Sequence, residues 1–297
     1  MKHKRKSYNY QRSHVAYVYL IPWMIGLVVF QLYPFLYSLV LSFTDKSMLT
    51  GGRFIGLQNY VAIFKDPNFK KSLVATLAYV AITVPLKLGF ALFIAVLCNQ
   101  KLKGIGFYRT IVYLPSVLGG SAGVAILWRA LFSGRGLVNS FLTKIGLKSV
   151  PWLGSPNMAS FTIALLAVWQ FGSSMVLFLA ALKQIPRSYY EAAKMDGAGA
   201  VTCFFKITLP GISPIIQFNL IMQTINAFQE FAAPYLITGG GPLKSTYLYS
   251  MLLYDNAFSF MKMGYASALS WIFFLIIAVV TLIIFGTSKF WVFNENE

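Results

Sequence analysis

Six long apolar runs limit what this chain can fold into more than anything else in it. They lie at about 15–43, 73–98, 107–132, 159–182, 213–237 and 264–288. Each can cross roughly 30 Å of hydrocarbon, a distance that takes about 20 helical residues. Lipid offers the backbone no hydrogen bonds, so the runs are expected to be helices. The expected fold is therefore an all-α integral membrane protein with six transmembrane helices. Residues 15–297 would form a single transmembrane domain behind a basic tail, 1–14. Pro22, Pro34, Pro85 and Pro115 fall inside runs and are expected to kink them. No internal repeat suggests an inverted-repeat architecture.

Composition excludes the soluble alternative. Only 11% of the chain is charged, against roughly 25% in an average protein, so a globule would have little to show to water. A net charge of +17 would suggest nucleic acid in a soluble chain. Here the basic residues cluster at the ends of apolar runs, where they anchor spans and set topology, so no nucleic-acid partner is expected. With the N-terminus inside, segments 1–14, 99–110, 183–206 and 288–297 hold 13 Lys and Arg in 60 positions. The outer segments 44–71, 129–158 and 238–263 hold 11 in 84. This bias puts both termini and the stretch 184–212 in the cytoplasm. Within 44–71 a short surface helix is expected around Leu57–Phe64.

Several chemistries find no support. His3 and His14 lie in the tail, and no group of residues has metal-ligand spacing. There is no nucleophile–base pair and no G-x-S-x-G, so no catalytic residue is assigned and no enzyme is expected. Cys98 and Cys203 sit at cytoplasmic ends of spans, where a disulfide is not expected. The stretch "GGGPLKST" at 239–246 looks like a phosphate loop but lacks the Gly-Lys pair, because Leu243 precedes Lys244.

The hydrophobic pattern breaks at 191–210, "EAAKMDGAGAVTCFFKITLP". Pro186 ends the preceding span. Ser188 and Glu191 have capping-box spacing, which predicts a helix from Tyr189. Gly197 can end that helix in a left-handed conformation. A second short helix is expected over Ala200–Thr208, stopped by Pro210. On the first helix Tyr189, Ala192, Ala193 and Asp196 share a face that is small in its middle. The physics allows either an amphipathic connector at the interface or a knob that docks into a partner.

The stretch closely resembles the EAA signature of permease subunits of binding-protein-dependent ABC importers. Glu191, Ala192, Ala193, Asp196, Gly197, Ala198, Phe205, Ile207, Leu209 and Pro210 stand in that family's register. The segment "PYLITGGGP" at 234–242 is similar to the T-x-G-G-P segment of carbohydrate permeases of the maltose type. The resemblance implies that residues 184–212 are the coupling element, which seats in a cleft of an ATP-binding subunit, with Glu191 paired to a basic residue there. It implies a second homologous permease, two ATPase subunits that hold ATP and Mg, and an extracytoplasmic solute-binding protein. No cofactor is expected on this chain itself. The implied setting is the cytoplasmic (inner) membrane of a bacterium or archaeon, and the implied cargo is a carbohydrate, an oligosaccharide above all. A stand-alone secondary transporter of a polar solute is the rival reading.

Polar residues inside spans usually face a cavity or the bundle interior. Gln223, Asn226 and Glu230 fall at i, i+3 and i+7 of the fifth run, and Trp169, Gln170 and Ser173 share a face of the fourth. They are candidates to line a substrate path; the alternative is cross-helix hydrogen bonding. Lys87 and Glu230 are the charged residues deepest in runs. Either they pair, or Lys87 faces the path and attracts an acidic cargo.

Overall fold

The structure is a computed structural model that describes residues 13–100 and 103–293. The basic tail up to residue 12, positions 101–102 and the last four residues lie outside the described residues. Among the described residues the chain is helical, and its sole extended pairing is one antiparallel bridge between Thr44 and Phe54. By length and apolarity three helices can cross a membrane: Tyr19–Ser42, Pro67–Cys98 and Met263–Phe290. Three bent pairs bring the number to six if each pair is one span.

The chain divides into two compact units. In the first, α1 (Ser13–Leu27) passes through a wide π turn, Val28–Leu32, into α2 (Tyr33–Ser42). Pro34 sits at the start of α2, just past the π turn, while the helix runs on around Pro22. The following loop is pinned by Asn59 on α3 (Gln58–Lys65), the surface helix expected there. Its amide donates to the carbonyls of Ser42 and Thr44, both at 2.8 Å. The same loop lies against Gly264, whose N–H donates to the Lys46 carbonyl at 2.9 Å. Any side chain at Gly264 would collide with the Thr44 carbonyl.

The second unit is built round α4 (Pro67–Cys98). Asp66 caps its start by accepting the Asn68 N–H at 2.8 Å. The Arg109 guanidinium closes its other end by donating to the Cys98 carbonyl at 2.6 Å. Pro85 lies inside this helix without breaking it. Against α4 pack α8 (Pro156–Trp169), α9 (Gly172–Gln184), α13 (Ser213–Phe228) and α15 (Tyr249–Tyr254). Ala91 and Ala95 of α4 are fully buried, and such small residues let a neighbouring helix come close. Ile163, Met175, Phe178 and Ile212 complete the interior.

Two expected spans are bent inside, and a third bend falls just before the fifth. α5 (Ile105–Leu118) and α6 (Ala122–Leu131) meet at 101°, α8 and α9 at 47°, and the helical run Ala200–Gly211 meets Ser213–Ile237 at 65°. Pro115 is carried inside α5, and the sharp turn between α5 and α6 falls beyond it, at Gly119 and Gly120. Beyond α6, α7 (Leu137–Lys144) lies in a loop knotted by Asn139, which is 2% exposed. Its amide donates to the carbonyls of Ser133, Gly134 and Val150 and accepts from the Val150 N–H and the Trp152 indole.

Candidate functional site

The interruption at 184–212 folds into two short helices. α10 (Arg187–Met195) leads into α11 (Ala200–Cys203), which continues through a π turn, Phe204–Thr208, into α12 (Leu209–Gly211). α10 starts two residues earlier than the spacing predicts. Pro186, extended at ψ 134°, holds the N-cap position, and no side chain caps the helix, so the Ser188–Glu191 box does not form. The far end matches the expectation in detail. Gly197 has φ +78°, its N–H bonds the Lys194 carbonyl at 3.0 Å, and the Ala198 N–H bonds the Ala193 carbonyl at 2.8 Å. These two bonds are a Schellman cap, which needs a residue that tolerates positive φ. The second helix runs past Thr208, and Pro210 does not stop it; the turn falls at Ile212.

A cross-bond between the Tyr190 hydroxyl and Thr208 Oγ1, 2.9 Å, ties the two helices together. Cys203 is buried beneath them, and both it and Cys98 are free thiols. Tyr189, Ala192, Ala193 and Asp196 share one face, as their spacing requires. That face borders a groove of about 490 Å³ together with Gln184, Ile185, Lys206 and Phe293. The opposite, outward stripe is Arg187, Glu191 and Met195, at i, i+4 and i+8, and all three are exposed. Met195 is 89% exposed, although its apolar side chain gains nothing from water. Sequence reasoning passed over Met195 because one methionine among helix formers carries no pattern. Phe293 was missed as well. Its N–H donates to Ser213 Oγ at 2.8 Å, and that hydroxyl donates to the Pro210 carbonyl at 2.6 Å. Phe293 thus closes one wall of the groove.

Two of the bends meet in the bundle. The Gly172 N–H at the start of α9 donates to Ser116 Oγ of α5 at 2.7 Å. Gly119 gives room to Gln170, whose Cδ would lie 2.5 Å from any Cβ placed there. Trp169 stacks obliquely on Trp128 with ring centres 5.9 Å apart. Trp169 and Gln170 therefore stand on one side of the break and Ser173, exposed, on the other. The single helical face expected for them is replaced by a corner.

A similar correction applies to the fifth run. α13 ends at Phe228, so Gln223 and Asn226 share a helix and Glu230 does not. Glu230 lies in the gap before α14 (Ala232–Ile237), where its carboxylate accepts the Ala233 N–H at 3.1 Å. The Glu230 carbonyl accepts the hydroxyl of Ser250. Lys87 on α4 is partly buried and near enough to Glu230 for their charges to interact. Among the described residues the two form no ion pair in direct contact. The structure brings Gln170 into the α5/α9 corner and leaves Glu230 within charge-interaction range of Lys87.

The model of binding-protein-dependent transport system inner membrane components matches residues 60–291. The chain belongs to that family. It is a permease subunit of an ABC transporter, and ATP hydrolysis belongs to a separate subunit. This permease is 48% identical to the probable ABC transporter permease protein YesP of Bacillus subtilis, over 99% of this chain and 96% of that one. It is 38% identical to the sulfoquinovosyl glycerol transport system permease protein SmoG of Agrobacterium fabrum, over 91% and 88%. A chain from the crystal structure of a bacterial ABC transporter involved in the import of the acidic polysaccharide alginate shares its fold. There the TM-score is 0.82 at 23% identity, covering 94% of this chain and 96% of that one. Multi-pass placement in an inner membrane follows from the family and the apolar helices.

Proposed function

We propose that this permease forms half of a translocation path for a carbohydrate, an oligosaccharide above all. A second homologous permease completes the path, two ATPase subunits that hold ATP and Mg dock below, one of them on α10, and an extracytoplasmic solute-binding protein delivers the cargo. Both termini face the cytoplasm in this reading. Its support comes from the T-G-G-G-P segment at 238–242 and from relatives named for glycosidic cargo.

The observation that carries the coupling role is the Schellman-capped hairpin with its outward Arg187–Glu191–Met195 stripe. A helix closed by two backbone bonds moves as a unit, and its second helix runs into α13. A displacement at α10 is therefore transmitted to the span that carries Gln223 and Asn226. On this reading Met195 fills an apolar pocket of the ATPase and Glu191 meets a basic residue there. Glu191, Ala192, Ala193, Asp196, Gly197, Ala198, Phe205, Leu209 and Pro210 form the coupling element. Trp169, Gln170, Ser173, Gln223, Asn226, Glu230 and Lys87 line or support the path. ATP acts by favouring one of two access states, since a ligand shifts an equilibrium only by its differential affinity.

The test is site-specific crosslinking in the assembled transporter. A cysteine at Met195 or Ala193 is expected to capture the ATPase subunit, with yield that changes when ATP is bound. Absence of capture at both positions, or carbohydrate transport by the purified chain alone on an ion gradient, would sink the proposal in favour of a secondary transporter.

A further inference from the structure

A second cleft, of about 470 Å³, lies in the α4 unit away from the coupling hairpin. Its walls are Lys70, Lys71, Val74, Ala75 and Ala78 of α4, Pro156, Asn157 and Ser160 of α8, and the turn Leu243–Ser245. Three features define its chemistry. The first is a cationic mouth. Lys70 and Lys71 are exposed, and among the described residues neither they nor the Asn157 amide has a hydrogen-bond or ion-pair partner. Among the described residues no carboxylate borders the cleft. The nearest in sequence, Asp66, is engaged in capping α4. The second is an apolar floor: Val74, Ala75 and Ala78 carry the cleft two turns down an apolar span, and Val74 is exposed. The third is a fixed lip. Leu243 and Lys244 take left-handed backbone angles, φ 52° and 63°, although neither is glycine. The Lys244 ammonium is held by Asn68 Oδ1 at 2.6 Å, and Ser160 Oγ donates to the Ser245 carbonyl at 3.2 Å. The turn leaves Leu243 87% exposed beside the floor.

We propose that this cleft binds an anionic phospholipid, its phosphate between Lys70, Lys71 and Asn157 and one acyl chain along Val74, Ala75, Ala78 and Leu243. A polar ligand would match the mouth and leave the floor wet, and a neutral lipid would match the floor and leave two lysines uncompensated. An anionic lipid satisfies both, because the apolar stretch of α4 begins directly after the two lysines. The proposal does not depend on the cargo or on the coupling role of α10.

The experiment uses the assembled transporter released from bilayers of equal phosphatidylglycerol and phosphatidylethanolamine, with retained lipid counted by native mass spectrometry. Wild type is expected to retain phosphatidylglycerol preferentially. Lys70→Gln with Lys71→Gln is expected to lose roughly tenfold of that preference. Ala78→Trp, which fills the floor and spares both lysines, is expected to lose the bound lipid of either kind. Lys148→Gln, an exposed lysine elsewhere, is expected to change nothing. Retention unchanged in both cleft variants overturns the proposal. So does displacement of the lipid by millimolar inorganic phosphate, which would mark a plain anion site. A photo-crosslinker at Leu243 that captures a protein segment instead of lipid overturns it too.

Discussion

The Glu230 carboxylate caps α14 by accepting the Ala233 N–H, in the gap where α13 has already ended. The same charge lies close enough to Lys87 to interact with it. Glu230 thus has two tasks, a local one at a helix start and an electrostatic one inside the bundle. Glu230→Ala is expected to lose the cap, about 1 kcal/mol, and to leave Lys87 without a nearby counter-charge. An uncompensated charge at mid-bilayer costs about 2.5–3.5 kcal/mol. Lys87→Gln with Glu230→Gln should therefore be better tolerated than Lys87→Gln alone. A double-mutant cycle on the melting temperature of the assembled transporter measures this. Strict additivity of the two changes would show that the residues do not speak to each other.

Gly197 is the point where substitution should separate folding from coupling. At φ +78° an alanine costs about 1 kcal/mol, which a large membrane protein survives. The Schellman bonds would loosen, and α10 would no longer follow α11 as a unit. Gly197→Ala is expected to leave assembly intact and to lower cargo-stimulated ATP hydrolysis several-fold. Stimulation equal to wild type would mean that rigidity at this turn is not used.

The corner between α5 and α9 depends on two glycines. A Cβ at Gly172 would stand 2.7 Å from Ser116 Oγ and 3.1 Å from Tyr113 Cα. Gly172→Ala is expected to destabilise by about 1–3 kcal/mol, read as lost yield of folded protein in mild detergent. Ser116→Ala in the same chain removes the nearer clash and should recover part of that loss.

Tyr247 offers a test by pH. Burial pushes its phenol up, and Asp255, which accepts its proton at 2.6 Å, pushes it further. The folded loop holds the proton more tightly than the unfolded chain does. This contribution to stability is whole below the ordinary tyrosine value of about 10 and fades as pH rises beyond it. In an alkaline titration followed by tyrosinate absorbance, wild type minus Tyr247→Phe should show one phenol ionising later than that value. A difference spectrum centred on it would remove the argument.

Much of this was legible in the residues, and what was not came from signals that compete with the simple pattern. The six apolar runs, the break at 184–212 and the left-handed Gly197 all arise from local chemistry that a short window contains. The corners do not. Pro115 carries the strongest local signal for a bend, yet the sharp turn falls at Gly119, where Gln170 from another segment leaves no room for a Cβ. Glu230 continues the spacing of Gln223 and Asn226, yet the helix ends first, and the carboxylate accepts the Ala233 N–H of α14 instead. The Ser188–Glu191 pair had the right spacing, and Pro186 preset the start of α10 elsewhere. A contact between distant segments decided the first case, and a competing local signal stands at each of the other two.

The first span, Tyr19–Ser42, buries none of its most apolar window within the chain. A surface of that kind is answerable to lipid and to its assembly partners rather than to its own fold. Among descendants of this gene it should therefore drift fastest in side-chain identity while its mean hydropathy stays put. The alanine-lined contacts of α4 should change least.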